Sequence, residues 1–153
     1  MKIGLISDTH GLLRSEAVAA LDGVELILHA GDVGGNAVLA GLRRLAPVHA
    51  VWGNVDDRAQ PGLEAAIDLE TDGVRIHVSH GHELGSPTPA TLLSRYDADV
   101  IVYGHTHKAL IERHGRRLVV NPGAAGPRRF NLLPSVGILL VSDGAAEAEL
   151  LCI

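Results

Sequence analysis

Cysteine is almost missing from this chain: one residue among 153, Cys152, stands beside the C-terminus. With no partner inside the chain, an internal disulfide framework is excluded, and a reducing compartment is the expectation. Zinc sites built from several thiolates are excluded on the same ground. Aromatic residues are nearly as scarce, at 3% of the chain, with one Phe, one Trp and two Tyr. The core must therefore be aliphatic, since apolar residues still make up 46% of the sequence. Positive charge is short too: 13 Lys and Arg against 18 Asp and Glu give a formal net charge of −5. That balance offers no general attraction to nucleic acid or to an anionic membrane. A phosphate-bearing ligand would have to find its positive charge locally.

Long hydrophobic runs are missing as well. VGILLV, at 136–141, falls far short of the roughly 20 residues that a membrane helix needs. The opening MKIGLISD meets an aspartate after a short apolar run, with no long hydrophobic region and no cleavage site. The expectation is a soluble, cytoplasmic protein with no membrane partner. No low-complexity linker, repeat or break in composition divides the sequence, so residues 1–153 are expected to form one domain.

What is present is a rhythm. Strand-like runs occur at KIGLIS (2–7), VELILH (24–29), VHAVW (48–52), VRIHVS (74–79) and DVIVY (99–103). Between the first three, RSEAVAALD (14–22) and NAVLAGLRRL (36–45) carry apolar residues at helical spacing, with Asn36 placed to cap the second. Alternation of this kind predicts right-handed crossovers and parallel strands. After residue 105 the texture changes. The runs at 108–113 and 116–121 flank His114-Gly115 as a hairpin, and residues 135–153 read as a second hairpin around Asp143-Gly144. The pattern predicts a mixed α/β domain with two sheets packed together.

Each apolar run before residue 108 ends on groups able to hold a metal: Asp8 and His10, then Asp32, Asn54, His80, and finally His105 and His107. In open α/β sheets the crevice beyond the carboxyl ends of the strands is where ligands bind. Gly31, Gly53 and Gly104 precede polar residues there, and each is expected to let the chain turn sharply. In the pairs Asp8/His10 and His105/His107, an extended backbone would place both side chains on one face. The donors are carboxylate, amide oxygen and imidazole, a set suited to Mn, Fe, Zn, Co, Ni or Mg. Seven groups are too many for one tetrahedral ion and suit two ions sharing a carboxylate. Paired ions about 3.5–4 Å apart clamp the attacking and leaving oxygens in phosphoryl chemistry, and their four positive charges exceed the two negative ones of Asp8 and Asp32.

These motifs resemble the calcineurin-like metallophosphoesterases, whose pattern is D-x-H, G-D, G-N-H-D/E, a lone H and G-H-x-H. Here it reads Asp8-Thr9-His10, Gly31-Asp32, Gly53-Asn54-Val55-Asp56, His80 and Gly104-His105-Thr106-His107. The short chain, His80-Gly81-His82, and Asn121-Pro122-Gly123 followed by Pro127-Arg128 are most similar to the small prokaryotic phosphodiesterase branch, whose fold a retromer subunit shares. The resemblance implies a four-layer α/β/β/α sandwich of two mixed sheets. It also implies one metal on Asp8, His10, Asp32 and His107, and a second on Asp32, Asn54, His80 and His105, with manganese favoured and a bridging hydroxide as nucleophile. The family's catalytic histidine after the G-N asparagine is replaced by Val55. His82 is then a candidate general acid, beside Asn54 as a catalytic and metal-binding residue. Asp56 is another candidate for the acid, though the role expected of it is to cap a loop.

The remaining residues take plainer readings. His29, His49 and His77 are expected to be structural, with His29 orienting the Asp32 loop, and His114 to sit in a turn. Arg14, Arg128 and Arg129 could reach a substrate phosphate, though arginines on such a loop are more often solvated. GDVGGNAV (31–38) lacks the spacing and the G-K-[ST] ending of a nucleotide loop. The function expected is hydrolysis of small phosphodiesters at an open, shallow, dinuclear site. Alternatives are a phosphomonoesterase, pyrophosphatase or nuclease with the same metals, or a protein-binding scaffold. The expected partner is a small phosphoester; nucleic acid is not indicated, and a homo-oligomer is left open.

Overall fold

The computed structural model describes residues 1–153, with eleven strands and three α-helices. The first half alternates as expected: β1 (Lys2–Ile6), α1 (Ser15–Ala20), β2 (Leu26–His29), α2 (Asn36–Arg43) and β3 (Val48–Val51). β1 pairs parallel with β2, and β2 with β3. A short strand β4 (Leu63–Glu64) joins β3 in parallel, and the chain then crosses to a second sheet through β5 (Ile67–Thr71) and β6 (Val74–Val78). Helix α3 (Pro89–Arg95) leads to β7 (Val100–Val102), followed by the hairpin of β8 (Leu110–His114) and β9 (Arg117–Asn121). The C-terminal hairpin, β10 (Ser135–Ser142) and β11 (Ala145–Cys152), returns to the first sheet beside β1.

The two sheets run β11-β10-β1-β2-β3-β4 and β5-β6-β7-β9-β8, and each mixes parallel with antiparallel pairs. Alternation along each strand makes three aliphatic layers. Ile3, Leu5 and Leu28 from one sheet meet Ile76, Val100 and Val102 from the other between the sheets. Ile6, Ile27 and Ala50 point the opposite way, against Leu21, Leu39 and Leu42 of the α1–α2 side. On the far side, Ile101 and Val119 pack under Leu92 of α3. This is the four-layer α/β/β/α arrangement.

Several local expectations need correction. Asn36 does not cap α2: Gly35, at φ 113°, holds the cap position, and Asn36 Oδ1 instead accepts a bond from Gln60 Nε2. The turn of the β8–β9 hairpin falls on Gly115-Arg116, one residue later than expected, because His114 pairs with Arg117. His49 is exposed on β3 and makes no core contact. The β5 strand and α3 were not anticipated, although both carry local signals. Asp72 (φ 49°) and Gly73 (φ 78°) form the same kind of two-residue turn as Asp143 (φ 51°) and Gly144 (φ 77°). Helix α3 begins with Thr88 capping the Thr91 N–H, the Thr91 side chain answering, and Pro89 inside the first turn.

Candidate metal centre

The strands β1, β2, β3, β6 and β7 all present their carboxyl ends to one rim of the sandwich, and the seven candidate ligands follow within a few residues of those ends. Three of them stand in the order the strands supply: Asp8 after β1, Asp32 after β2, His80 after β6. Backbone bonds knit these loops together. The Asp8 N–H donates to Gly31 O at 2.9 Å, His10 N–H to Asp32 O at 2.9 Å, and Gly104 N–H to His80 O at 3.0 Å.

Convergence is not achieved by extended backbone. Asp8 (φ 53°), His10 (φ 46°), Asp32 (φ 52°), His105 (φ 71°) and His107 (φ 63°) all lie in the left-handed region. For side-chain-bearing residues that region costs roughly 1–2 kcal/mol each, and such residues gather where function holds them. The chain therefore curls back on itself after β1, β2 and β7 instead of running on flat. Of the three glycines, only Gly31 (φ 99°) uses a turn open to glycine. Gly53 and Gly104 are there for close approach: a Cβ on Gly53 would overlap the Asp32 carboxylate, and one on Gly104 would meet Ser7 Oγ and come 2.7 Å from Asp8 Oδ2.

The donors meet around two carboxylates. Asp8 Oδ1 lies 3.4 Å from His107 Nε2, 3.8 Å from His10 Nε2 and 3.9 Å from His80 Nε2. Asp32 Oδ2 lies 3.3 Å from His80 Nε2 and 3.7 Å from His10 Nε2. Asn54 Oδ1 sits 3.0 Å from His80 Nε2 and 3.1 Å from His105 Nδ1. Donors bound to one ion through bonds of about 2.1 Å stand about 3.0–3.4 Å apart, so most of these spacings suit a shared cation. The Asp8/His10/His107 and Asp8/Asp32/His80 groups each bring three ligand atoms within 4.8 Å of one another. All seven sequence-predicted residues are thus brought to one place.

Hydrogen bonding says what is missing there. Asp8 is wholly buried, its Oδ2 accepts from Ser7 Oγ at 2.6 Å and from the His105 N–H at 3.2 Å, and Oδ1 has no partner. The buried His10 Nε2 is unpartnered too. His80 Nδ1 lies 2.8 Å from the Ala30 carbonyl and must carry the proton there, which turns the lone pair of a neutral Nε2 toward Asn54 Oδ1 and Asp32 Oδ2. With the ring neutral, lone pairs face lone pairs, and either a proton on Nε2 or a bound cation must lie between them. Burial works to lower the His80 pKa, but Asp32 and Asp8, with the Ala30 carbonyl, raise it overall. Burial likewise works to raise Asp32, and His80, the Val55 N–H and His10 outweigh it and hold that carboxyl at about 2. A divalent cation fits this donor set.

Other groups brace the loops. The Gly31 N–H lies 3.2 Å from His29 Nδ1, so His29 Nε2 carries the proton and donates to Thr9 Oγ1 at 3.0 Å; Thr9 in turn donates to Val33 O at 2.7 Å. Burial pushes His29 down to about 4, keeping it neutral in this orienting role. Asp56 accepts from the N–H groups of Val33 (3.0 Å), Gly34 (3.0 Å) and Gly53 (2.8 Å), which agrees with a loop cap. Asn121, not singled out as a site residue, donates to Gly104 O at 3.2 Å and to Thr106 Oγ1 at 3.0 Å, fixing the His105–His107 loop. Glu83 was also missed: it accepts from the Gly81 N–H at 2.9 Å and from Tyr96 Oη at 2.8 Å.

His82 lies at the edge of the cluster, its ring 5.3 Å from that of His80 and 6.3 Å from that of His105. Its buried Nδ1 has no partner and stands 3.9 Å from Glu83 Oε1. Burial, then the charge of His80, lower its pKa. His77 is buried, 2.7 Å from Asp68 and stacked on Tyr96, and takes no part in the cluster. His114 ends β8, 2.9 Å from Glu112. Arg14 donates to Gly126 O at 3.0 Å, tying the loop after β9 to the first ligand loop. Three surface clefts, one at Met1 and Leu140, one at Arg113 and Arg116 and one at Leu69 and Arg75, have no candidate ligand in their lining.

Comparison with known proteins agrees with this geometry. The model of the calcineurin-like phosphoesterase superfamily domain matches residues 1–144, and the chain belongs to that superfamily. A probable metallophosphoesterase of Methanothermobacter thermautotrophicus is 34% identical over 161 aligned positions, covering 99% of this chain and 92% of its own. A phosphodiesterase of Methanocaldococcus jannaschii is 30% identical, covering 91% of this chain and 92% of its own. Among solved structures, Vps29 of Entamoeba histolytica complexed with zinc superposes with a TM-score of 0.80 at 26% identity, covering 99% of both chains. The enzyme relatives support metal-dependent phosphoester chemistry for this chain. No helix is long and apolar enough to cross a membrane.

Proposed function

We propose that this chain hydrolyses small phosphodiesters at a dinuclear centre, as a single catalytic unit over residues 1–153, in the cytoplasm. One ion would be held by Asp8, His10, Asp32 and His107, the other by Asp32, Asn54, His80 and His105, with manganese favoured. When bound, the ions supply Lewis acidity toward the phosphoryl oxygens and lower the pKa of water. Asp32 belongs to both proposed ligand sets and would serve both ions; the Val55 N–H, 3.0 Å from its Oδ1, orients it. Ser7 and the His105 N–H hold Asp8 so that Oδ1 faces the centre. Ala30 fixes the His80 tautomer, leaving Nε2 as the donor. Asn54 turns its amide oxygen inward between His80 and His105. Val55 can transfer no proton, so His82 serves as the acid that protonates the leaving oxygen. Its lowered pKa leaves little of it protonated at neutral pH, so substrates with good leaving groups are favoured.

The observation that carries this reading is the unpartnered, wholly buried Asp8 Oδ1 with three imidazole nitrogens within 3.9 Å. The test is turnover of a chromogenic phosphodiester and its monoester analogue by metal-stripped protein resupplied with Mn, Ni, Zn or Mg. Metal-dependent turnover, faster on the diester, supports the proposal. Silence with every ion, in protein shown to bind them, favours a second reading: a scaffold that holds protein partners. Likeness to Vps29 is the observation behind that alternative.

A further inference from the structure

The chain's single phenylalanine is its most exposed large apolar residue. Phe130 is 81% exposed, yet its ring stands only 6.4 Å from the His107 ring, edge to face, at the border of the metal centre. An aromatic left in water this way gains nothing for the fold. It is also held in an unfavourable conformation: Phe130 (φ 55°) and Asn131 (φ 57°) are both left-handed. That region is a genuine outlier for a bulky residue and persists only where the surrounding chain imposes it. The loop is anchored before this pair and closed by a bond across it. Gly126 N–H donates to Asp8 O at 3.2 Å, Arg14 Nε to Gly126 O at 3.0 Å, and Leu132 N–H to Arg129 O at 2.9 Å. The loop is therefore moored to the first ligand loop and presents its aromatic side chain beside the ligands, without burying it.

Two further observations point the same way. Leu12, two residues past His10, and Val55, next to Asn54, are the other apolar side chains left exposed on the ligand loops, at 40% and 59%. Exposed apolar side chains thus stand on the same loops that carry the candidate ligands. Arg129, next to Phe130 in the chain, adds positive charge there.

We propose that Phe130 is a specificity-determining residue, forming one wall of an ester-group subsite, so that the phosphoesters taken best carry a flat aromatic group, aryl or nucleobase, lying on its ring. The inference rests on the phosphoester reading above and names the substrate class for that site. A phosphoryl group held by an ion on His10 and His107 would direct its ester substituent away from the ligands, and Phe130, 6.4 Å from the His107 ring, is the exposed apolar surface beside it. Stacking of a base or an aryl ring on an exposed aromatic side chain changes affinity by about tenfold or more. A saturated substituent of the same charge gains far less.

The test reads binding and needs no turnover. Dissociation constants of phenylphosphonate and methylphosphonate, which share one headgroup, are measured by calorimetry on the metal-loaded full chain. Phenylphosphonate should bind about tenfold tighter. Phe130→Ala should reduce that ratio to near one while leaving methylphosphonate unchanged, and Phe130→Trp should restore it. Because the ring is 81% exposed, both variants should melt close to the parent. Equal binding of the two ligands by the parent, or a preference that survives in Phe130→Ala, overturns the aromatic subsite and leaves the phosphoester reading intact. Failure of both ligands to bind removes the phosphoester reading itself, and the subsite with it.

Discussion

Replacing Asp56 by alanine separates a loop cap from a proton donor. The Asp56 carboxylate accepts three backbone N–H groups, from Val33 and Gly34 on one ligand loop and from Gly53 on the next. Two of these bonds are partly buried and one is exposed, so water can replace the third cheaply. At about 1 kcal/mol for each bond, the loss is roughly 2–3 kcal/mol. For a chain of this size that lowers the melting temperature by roughly 5–10 °C. The same bonds fix the spacing between Asp32 and Asn54, and removing such support typically weakens metal binding 10- to 100-fold. Asp56→Asn keeps one carbonyl oxygen and should fall between. Scanning calorimetry of metal-free protein gives the first quantity, and competitive chelator titration gives the second. An Asp56→Ala protein that melts with the parent and binds metal as tightly would refute the capping role. Loss of activity with metal affinity unchanged would instead make Asp56 a chemical participant.

Asp32→Asn should abolish turnover and reduce bound metal, because it weakens both halves of the centre at once; full activity, checked with elemental analysis of the purified variant, would remove the shared-carboxylate arrangement. Val55→His should accelerate hydrolysis of diesters with poor leaving groups more than those with good ones, if a missing acid limits the rate. An unchanged dependence on leaving-group pKa would make His82 or solvent sufficient. The buried His29, lowered to about 4 from an ordinary 6.5, resists protonation in the folded chain. Its contribution of about 3 kcal/mol is therefore complete above pH 6.5 and lost as pH falls through 4. Urea titrations of the metal-free protein should show that slope, and His29→Gln should flatten it. Asp32, at about 2 against an ordinary 3.8, adds a second loss lower down, between about pH 4 and 2.

Much of this was legible in the residues, for identifiable reasons. Short aliphatic runs ending on Asp, Asn or His at a regular interval imply parallel strands delivering polar groups to one edge, and β1, β2, β3, β6 and β7 do so. The Asp143-Gly144 turn could be read because only residues tolerant of positive φ serve there. What spacing could not supply was the backbone between ligands. Alternation suggested that Asp8 and His10 share a face of an extended segment, whereas both adopt left-handed φ under tertiary hydrogen bonds from distant loops. Those bonds join residues far apart in the chain and leave no local mark. The supporting roles of Asn121 and Glu83 were hidden in the same way, since Asn121 reaches the His105–His107 loop and Glu83 reaches Tyr96 at the end of α3. Glycine at 53 and 104 looked like turn chemistry and proved to be clearance for a carboxylate.

Metal stoichiometry tests the central claim most directly. Metal-stripped protein would be titrated with manganese and followed by electron paramagnetic resonance, beside Asp32→Asn. Two ions per chain with a spin-coupled spectrum, reduced to weak and uncoupled binding in the variant, is the expected result. A single tightly held ion, or two that show no coupling, would contradict a centre bridged by Asp32.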